Sequence, residues 1–408
     1  MASTLAPQPL GSARGLSRPQ LDKGRGRTTL IVLLSVLALV GTVAVVWLAF
    51  DASGADGGVV SLALAAIPVP FLVAAYLWLD RYEPEPIRFI VAALLWGAVV
   101  STSFAVLVQF VLDRTADLDR SALLAVVALV TEEFAKGLLV VLVLVRRRRQ
   151  AGLLDGIIYA GLVGVGFAFT ENVLYLSNAY GGSLLPDFSG PAAATTVFAL
   201  RGLVSPFAHP LFTTAIGIGV AVAVITRRRW LRVAAPLIGF VGAVGLHAAW
   251  NGSTLLWKGL GFPLVYVGFM VPLFGLAVYV SLRALRGEAR VVRAALADGA
   301  RLGWLHPAEV HWLVRFGDRS AARRYVRKVA GKEAVTALHA YQRTAAELAL
   351  MHDRVRRDRA PKDGPDRVRA QLQRLHSWRP FVVLPPLQFV PVESGQTERR
   401  QDAAARLH

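Results

Sequence analysis

The sequence predicts an all-α fold: a polytopic transmembrane helical bundle of about eight spans, followed by a C-terminal cytoplasmic tail that is partly helical and partly disordered. Three observations carry that expectation. Hydrophobic residues make up 55% of the 408 positions and charged residues only 18%, against roughly 25% charged in globular chains. The apolar residues are gathered in runs near the roughly 20 residues that a helix needs to cross the hydrocarbon of a bilayer. The breaks between the runs carry Lys and Arg in alternation, as the positive-inside rule requires. A net charge of +18 is then a property of membrane boundaries and of a basic tail, and no nucleic-acid partner is expected because no recognition motif accompanies it.

Residues 1–27 are rich in Pro, Gly, Ser and Arg and are expected to be a disordered cytoplasmic arm. The first apolar run, 29–50, is too long for a secretory leader and is expected to stay as an anchor. Further runs at 58–79, 87–112, 121–145, 152–178, 206–226, 232–254 and 262–285 complete the eight spans. Arg14, Arg18, Lys23, Arg25 and Arg27 precede span one, Arg146–Arg149 separate spans four and five, and Arg227–Arg229 separate spans six and seven. With eight spans these blocks fall on one side, which puts both termini in the cytoplasm of a multi-pass plasma-membrane protein. The loops bearing Asp51 and Asp56, and Gly181, Gly182 and Asp187, fall on the other. Residues 192–203 fit no span; they read as an outer-face amphipathic helix or a kinked extension of span six, and Arg201 argues against simple burial there.

The spans make up an expected intramembrane domain over 28–285. From Arg286 the character changes, with 24 Lys/Arg against 13 Asp/Glu to the end of the chain. Residues 286–358 are expected to be a basic amphipathic helical region attracted to anionic lipid. Residues 359–408, punctuated by Pro361, Pro365, Pro380, Pro385 and Pro386, are expected to be a disordered tail. The chain has no cysteine. Disulfides, thiolate nucleophiles, Cys-ligated zinc and iron–sulfur clusters are excluded.

Charged groups inside a membrane are costly and mark function. Span four carries Thr131-Glu132-Glu133-Phe134-Ala135-Lys136, span five Phe167-Ala168-Phe169-Thr170-Glu171-Asn172, span six opens on His209-Pro210-Leu211-Phe212-Thr213, and span seven carries His247-Ala248-Ala249-Trp250-Asn251. At about 1.5 Å per residue, Glu133 lies about 18 Å from the outer end of its span and Glu171 about 10 Å below the outer surface. His247 has a similar depth and His209 sits just inside the outer end of span six. All four can meet in one cavity. Lys136 pairs with Glu132 at i,i+4, but two glutamates on one lysine leave a carboxylate over.

These groups suit hydrolysis. A carboxylate shielded from bulk water takes a proton from water and returns it to a leaving group. Two imidazoles and a carboxylate hold zinc with one position open, and an Asn stabilises an oxyanion. The H-E-x-x-H pair of the familiar zinc proteases is absent.

Glu132-Glu133-x-x-Lys136, Phe167-x-x-x-Glu171-Asn172, His209-x-x-Phe212-Thr213 and His247-x-x-Trp250-Asn251, in that order, resemble the PrsW family of intramembrane proteases. Asp80-Arg81-Tyr82-Glu83-Pro84-Glu85-Pro86, after span two, looks like a further hallmark, and the resemblance covers about 57–285. The family is similar to the CAAX-protease and bacteriocin-immunity group, whose second motif carries a His where this chain has Glu171. The resemblance implies an intramembrane metal-dependent endopeptidase, with a divalent metal such as zinc, that cleaves a membrane protein such as an anti-sigma factor near the extracytoplasmic side. On this reading Glu132, Glu133, Lys136 and Asn251 are the catalytic candidates, and Glu171, His209 and His247 the metal ligands. The related group leaves open whether the glutamates act on water with a metal or without one. The alternative is a non-proteolytic membrane protein, a proton-coupled transporter or a scaffold, using the same buried Glu/His cluster. A transporter favours paired inverted repeats, and the chain has no second copy of these motifs.

Overall fold

The structure is a computed structural model that describes residues 24–115, 120–147, 151–184, 187–253 and 261–386. Arg148 and Arg149, Lys258, residues 1–23 of the expected N-terminal arm and residues 387–408 of the expected tail lie outside the described residues.

Every regular element among the described residues is helical. α1 (Gly24–Ala66) and α2 (Pro68–Leu79) hold the first two apolar runs. They form one stretch, Ala38–Leu79, broken inside α1 at Gly54, whose φ of 70° is a left-handed value that suits glycine. α3 (Ile87–Leu95) passes through a π turn at Trp96–Ser101 into α4 (Thr102–Thr115). α5 (Arg120–Arg146) carries the glutamate pair, and α6 (Leu153–Gly181) follows. α7 (Gly190–Phe198) and a π turn at Ala199–Val204 join α8 (Ala208–Ile225) in one apolar stretch, Gly190–Ile225, which is the kinked-extension alternative for residues 192–203, and α9 (Leu231–Ser253) follows. The last span is α10 (Gly261–Val265), a π turn at Tyr266–Met270, and α11 (Val271–Arg301).

Six of these helical stretches are long and apolar enough to cross a membrane, against the eight expected. Two physical reasons account for the difference. Runs one and two merge into a single helical stretch, and α5 is interrupted by three charges at its centre, Glu132, Glu133 and Lys136.

α6 is the hub. It packs on α1, α3, α7 and α8, and most of its length is buried all round. Small residues let backbones close in, because without a hydrophobic force between helices in lipid, close packing must hold them together. Gly156 and Gly217 oppose one another so tightly that a methyl on either would meet the other's carbonyl oxygen, at 2.4 and 2.2 Å. Gly166 and Gly97 likewise seat α6 against the α3 end and its π turn.

α11 runs on beyond the apolar block into the C-terminal region, where α12 (Val310–Val314), α13 (Phe316–Arg356, broken at Gly331) and α14 (Gly364–Trp378) pack around it. Trp312, Leu313, Val326, Leu338, Tyr341 and Leu348 form the inside of this bundle and are continuous with the core of the membrane part. The helical region therefore extends past the expected boundary at 358, because Leu375 of α14 finds an apolar surface on which to bury. The acidic loop after α2 is the seam. Glu83 takes a bidentate pair from Arg354 at 2.7 and 2.5 Å, the Tyr82 hydroxyl donates to the Val314 carbonyl at 3.0 Å, and Arg147 pairs with Glu85 and donates to the Tyr159 hydroxyl.

Candidate metal centre

α5, α6, α8 and α9 each bring one of the expected ionisable motifs to a single point. Glu133 and Lys136 are fully buried, three residues apart on one face of α5, with Lys136 Nζ 2.8 Å from Glu133 Oε1 and 3.5 Å from Glu132 Oε2. The ammonium also lies 3.5 Å above the Phe167 ring of α6, so it is held by two carboxylates and an aromatic face. His247 of α9 places Nδ1 3.0 Å from Glu133 Oε1. His209, in the first turn of α8, places Nε2 2.5 Å from Glu171 Oε2. The two imidazole rings stand 5.0 Å apart and nearly perpendicular, with Phe212 stacked on His247.

The hydrogen bonds fix which atoms remain. His209 is tied through Nε2 and His247 through Nδ1, which leaves His209 Nδ1, His247 Nε2 and Glu133 Oε2 buried without a partner. Unpaired buried polar atoms are rare and each calls for an explanation. Ligand atoms of these three residues all lie within 4.8 Å of one another. Two imidazoles and one carboxylate are a donor set that zinc takes in hydrolytic enzymes. The residues fit a divalent ion.

The expected ligand trio was Glu171, His209 and His247. The structure brings both histidines to the centre but sets Glu133 beside them and gives Glu171 a different place. Glu171 grips the far nitrogen of His209, and such a carboxylate fixes the tautomer and orientation of a ligating imidazole. Glu171 is held in turn by Arg201, whose Nη2 lies 2.5 Å from Oε2 and whose Nε donates to Asn172 Oδ1 at 2.7 Å. The Arg201 guanidinium rests 4.0 Å from the centre of the Tyr175 ring. Arg201 comes from the π turn after α7, a local form often found at functional sites. Sequence reasoning saw only that it was out of place in an apolar stretch; no spacing linked it to Glu171, which lies 30 residues earlier.

Glu132 differs from its neighbour. Its side chain is 13% exposed, and it lines a cavity of about 430 Å³ with Thr102 and Gln109 of α4 and Phe167, Glu171 and Tyr175 of α6. Asn251 follows His247 by one turn of α9.

Residues 85–277 match the family model described as PrsW family intramembrane metalloprotease. Protease PrsW of Geobacillus kaustophilus (strain HTA426) is 26% identical over 234 residues, which is 56% of this chain and 94% of the relative. Protease PrsW of Clostridioides difficile (strain 630) is 31% identical over 114 residues, 26% of this chain and 48% of the relative. No solved structure matches. All four ionisable motifs fall inside the matched range, and α12 to α14 lie beyond it.

Proposed function

We infer that this chain, which belongs to the PrsW family through residues 85–277, hydrolyses a peptide bond of a membrane protein at the Glu/His centre, with Glu133, His209 and His247 holding a divalent metal and Glu132 serving as general base. The observation that carries this reading is the gathering of Glu133, His209 and His247, each with a buried unpartnered atom and with ligand atoms within 4.8 Å of one another, beside a carboxylate that lines a cavity. The metal, when bound, supplies a Lewis acid that makes water acidic near neutral pH.

The protein's own groups do the rest. Glu132 reaches the cavity where a substrate strand and water enter between α4 and α6; it takes the proton from the attacking water and returns it to the leaving nitrogen. Lys136 supplies the positive charge that lets two adjacent carboxylates share a dry site. Arg201 and Glu171 hold His209 through Nε2, in the tautomer that leaves the Nδ1 lone pair free for a metal. Asn251, one turn beyond His247 on α9, is the amide that would donate to the developing oxyanion. Three carboxylates against Lys136 and Arg201 leave one negative charge over, which favours a cation.

Zinc is the metal this donor set favours, and an anti-sigma factor cut near its extracytoplasmic side is the substrate the family resemblance suggests. The orientation follows from the basic blocks: both termini in the cytoplasm of a plasma-membrane protein, with anionic lipid at the basic segments. Impermeant thiol labelling of single cysteines at Asp56 and Arg228 reads that orientation, and labelling of the second but not the first in intact cells reverses it. The test of the site separates the two glutamates. Glu133→Gln is expected to lower both bound metal and reporter cleavage, whereas Glu132→Gln keeps the metal and loses about 10²- to 10⁴-fold in rate, the usual contribution of a general base. Full metal content in Glu133→Gln, or wild-type cleavage by Glu132→Gln, sinks the assignment.

A further inference from the structure

At the far end of α2 from the metal centre, Arg81 stands two residues beyond Leu79, the last residue of the span. Trp78, in the last turn of α2, is 49% exposed, as befits an indole lying at the level of the lipid headgroups. The Arg81 guanidinium is held between two rings, 3.9 Å from the centre of Trp78 and 4.0 Å from that of Phe316. Phe316 opens α13, and one turn on the same helix brings Arg319 to 5.0 Å from the same ring. Two guanidiniums thus share one phenyl ring, with their carbons no more than about 9 Å apart by these two distances.

Neither has a counter-charge among the described residues. Arg319 is 3% exposed, yet its Nε and Nη1 are buried with no hydrogen-bond partner, as is Arg81 Nε. Among the described residues no carboxylate acts on either. The charges felt by Arg319 are those of Arg323 and Arg81, with only the Tyr82 phenol opposing them, and burial and these cations push its guanidinium down to about 10. Arg323 spends its own donors on Gln342 and Ser320. A buried charge without a partner is strongly unfavourable, and an aromatic face replaces only part of the lost hydration. The other arginines of the seam, Arg147 and Arg354, each have their glutamate. The unfilled donors of Arg81 and Arg319 point to an anion from outside the chain.

We propose that Arg81 and Arg319 form a phosphate-binding site at the membrane boundary, filled by the phosphate of an anionic phospholipid headgroup. Guanidinium donors match phosphate oxygens in geometry and charge. A phosphate hydrogen-bonded at about 2.8 Å on either side can bridge two guanidiniums whose carbons lie within that limit of about 9 Å. The level of Trp78 puts the pair within reach of headgroups, which favours a lipid over a soluble phosphate. Because Arg81 belongs to the membrane part and Arg319 to α13, a bridging lipid ties the C-terminal bundle to the membrane domain.

The experiment is native mass spectrometry of the full chain in detergent, titrated in separate arms with phosphatidylglycerol, phosphatidylcholine and inorganic phosphate. Wild type is expected to retain phosphatidylglycerol well above phosphatidylcholine. Arg81→Gln and Arg319→Gln are each expected to cut that retention about tenfold, while Arg369→Gln, an exposed cation on α14, leaves it unchanged. Arg81 is partly exposed, so its variant decides the matter if Arg319→Gln fails to fold. Binding of inorganic phosphate that depends on the same two residues, with no preference for the lipid, keeps the phosphate site and overturns the lipid as its source. Retention of both ligands at wild-type levels in Arg81→Gln, or binding of neither by wild type, overturns the site.

Discussion

Gly164→Ala is expected to damage the metal centre without touching any of its ligands. Gly164 of α6 faces the first turn of α8, and a methyl group there would lie 2.7 Å from both N and Cα of Pro210 and 2.8 Å from the carbonyl oxygen of His209. Ordinary contact begins at 3.4 Å, so the two helices must separate by about 0.7 Å, and rigid backbone on both sides offers no side chain that can swing away. The residue pushed is His209 itself. Misplacement of about 1 Å in a catalytic site costs on the order of 10²-fold, so kcat/KM is expected to fall about 10- to 100-fold, with a stability loss of about 1–3 kcal/mol from overpacking. The assay is reporter cleavage in lipid nanodiscs, with metal content and helix content measured on the same preparation. Gly245→Ala is the control: Gly245 lies two residues before His247 on α9, and a methyl there meets nothing within 4 Å, so activity is expected to hold while the helix gains about 0.8–1 kcal/mol of intrinsic propensity. Wild-type cleavage and metal content in Gly164→Ala, or an equal loss in Gly245→Ala, would refute the claim that close backbone packing sets the His209 position.

Two further outcomes are expected. Arg201→Gln releases Glu171 and through it His209, so metal affinity is expected to fall about 10- to 100-fold, as for other partners of ligating histidines; equilibrium dialysis at fixed pH measures it, and unchanged affinity removes Arg201 from the site. Asp80, buried and accepting the Glu85 N–H at 2.7 Å, is pushed up to about 7 chiefly by burial and further by the nearby carboxylates of Glu85, Asp155 and Glu83, against that hydrogen bond. The folded state then holds a proton that the unfolded chain has lost, so stability is greatest below about pH 4 and declines as pH rises to about 7, by at most about 4 kcal/mol. Asp80→Asn is expected to flatten that decline and to leave the protein more stable at pH 7.5; thermal unfolding in detergent across pH 4–8 measures it, and an unchanged slope would show that Asp80 ionises freely.

The convergence of the four motifs was legible from the sequence because depth along a helix is a simple count of residues. Glu133, His209 and His247 were singled out by their cost in a membrane, and that cost does not depend on their neighbours. The role of Glu171 was not legible. Depth places a side chain along the bilayer normal but not around the helix axis, and rotation of α6 decides that Glu171 meets the outer nitrogen of His209 instead of the centre. Arg201 was hidden for a related reason, since the π turn that swings it over Tyr175 has no signature in residue spacing.

The sequence by itself determined that the chain is an all-helical membrane protein with ionisable motifs set in its apolar helices, because hydrophobic length and the penalty for intramembrane charge are local properties of the chain. Tertiary structure alone decided the division of labour among the carboxylates, with Glu133 inside, Glu132 at the cavity and Glu171 behind His209. It also decided that the basic C-terminal region is a packed bundle bound to the Asp80–Pro86 loop. Pairings such as Glu83 with Arg354, 271 residues apart, depend on which faces meet when the helices close on α6, and that is settled by the packing of glycine against backbone.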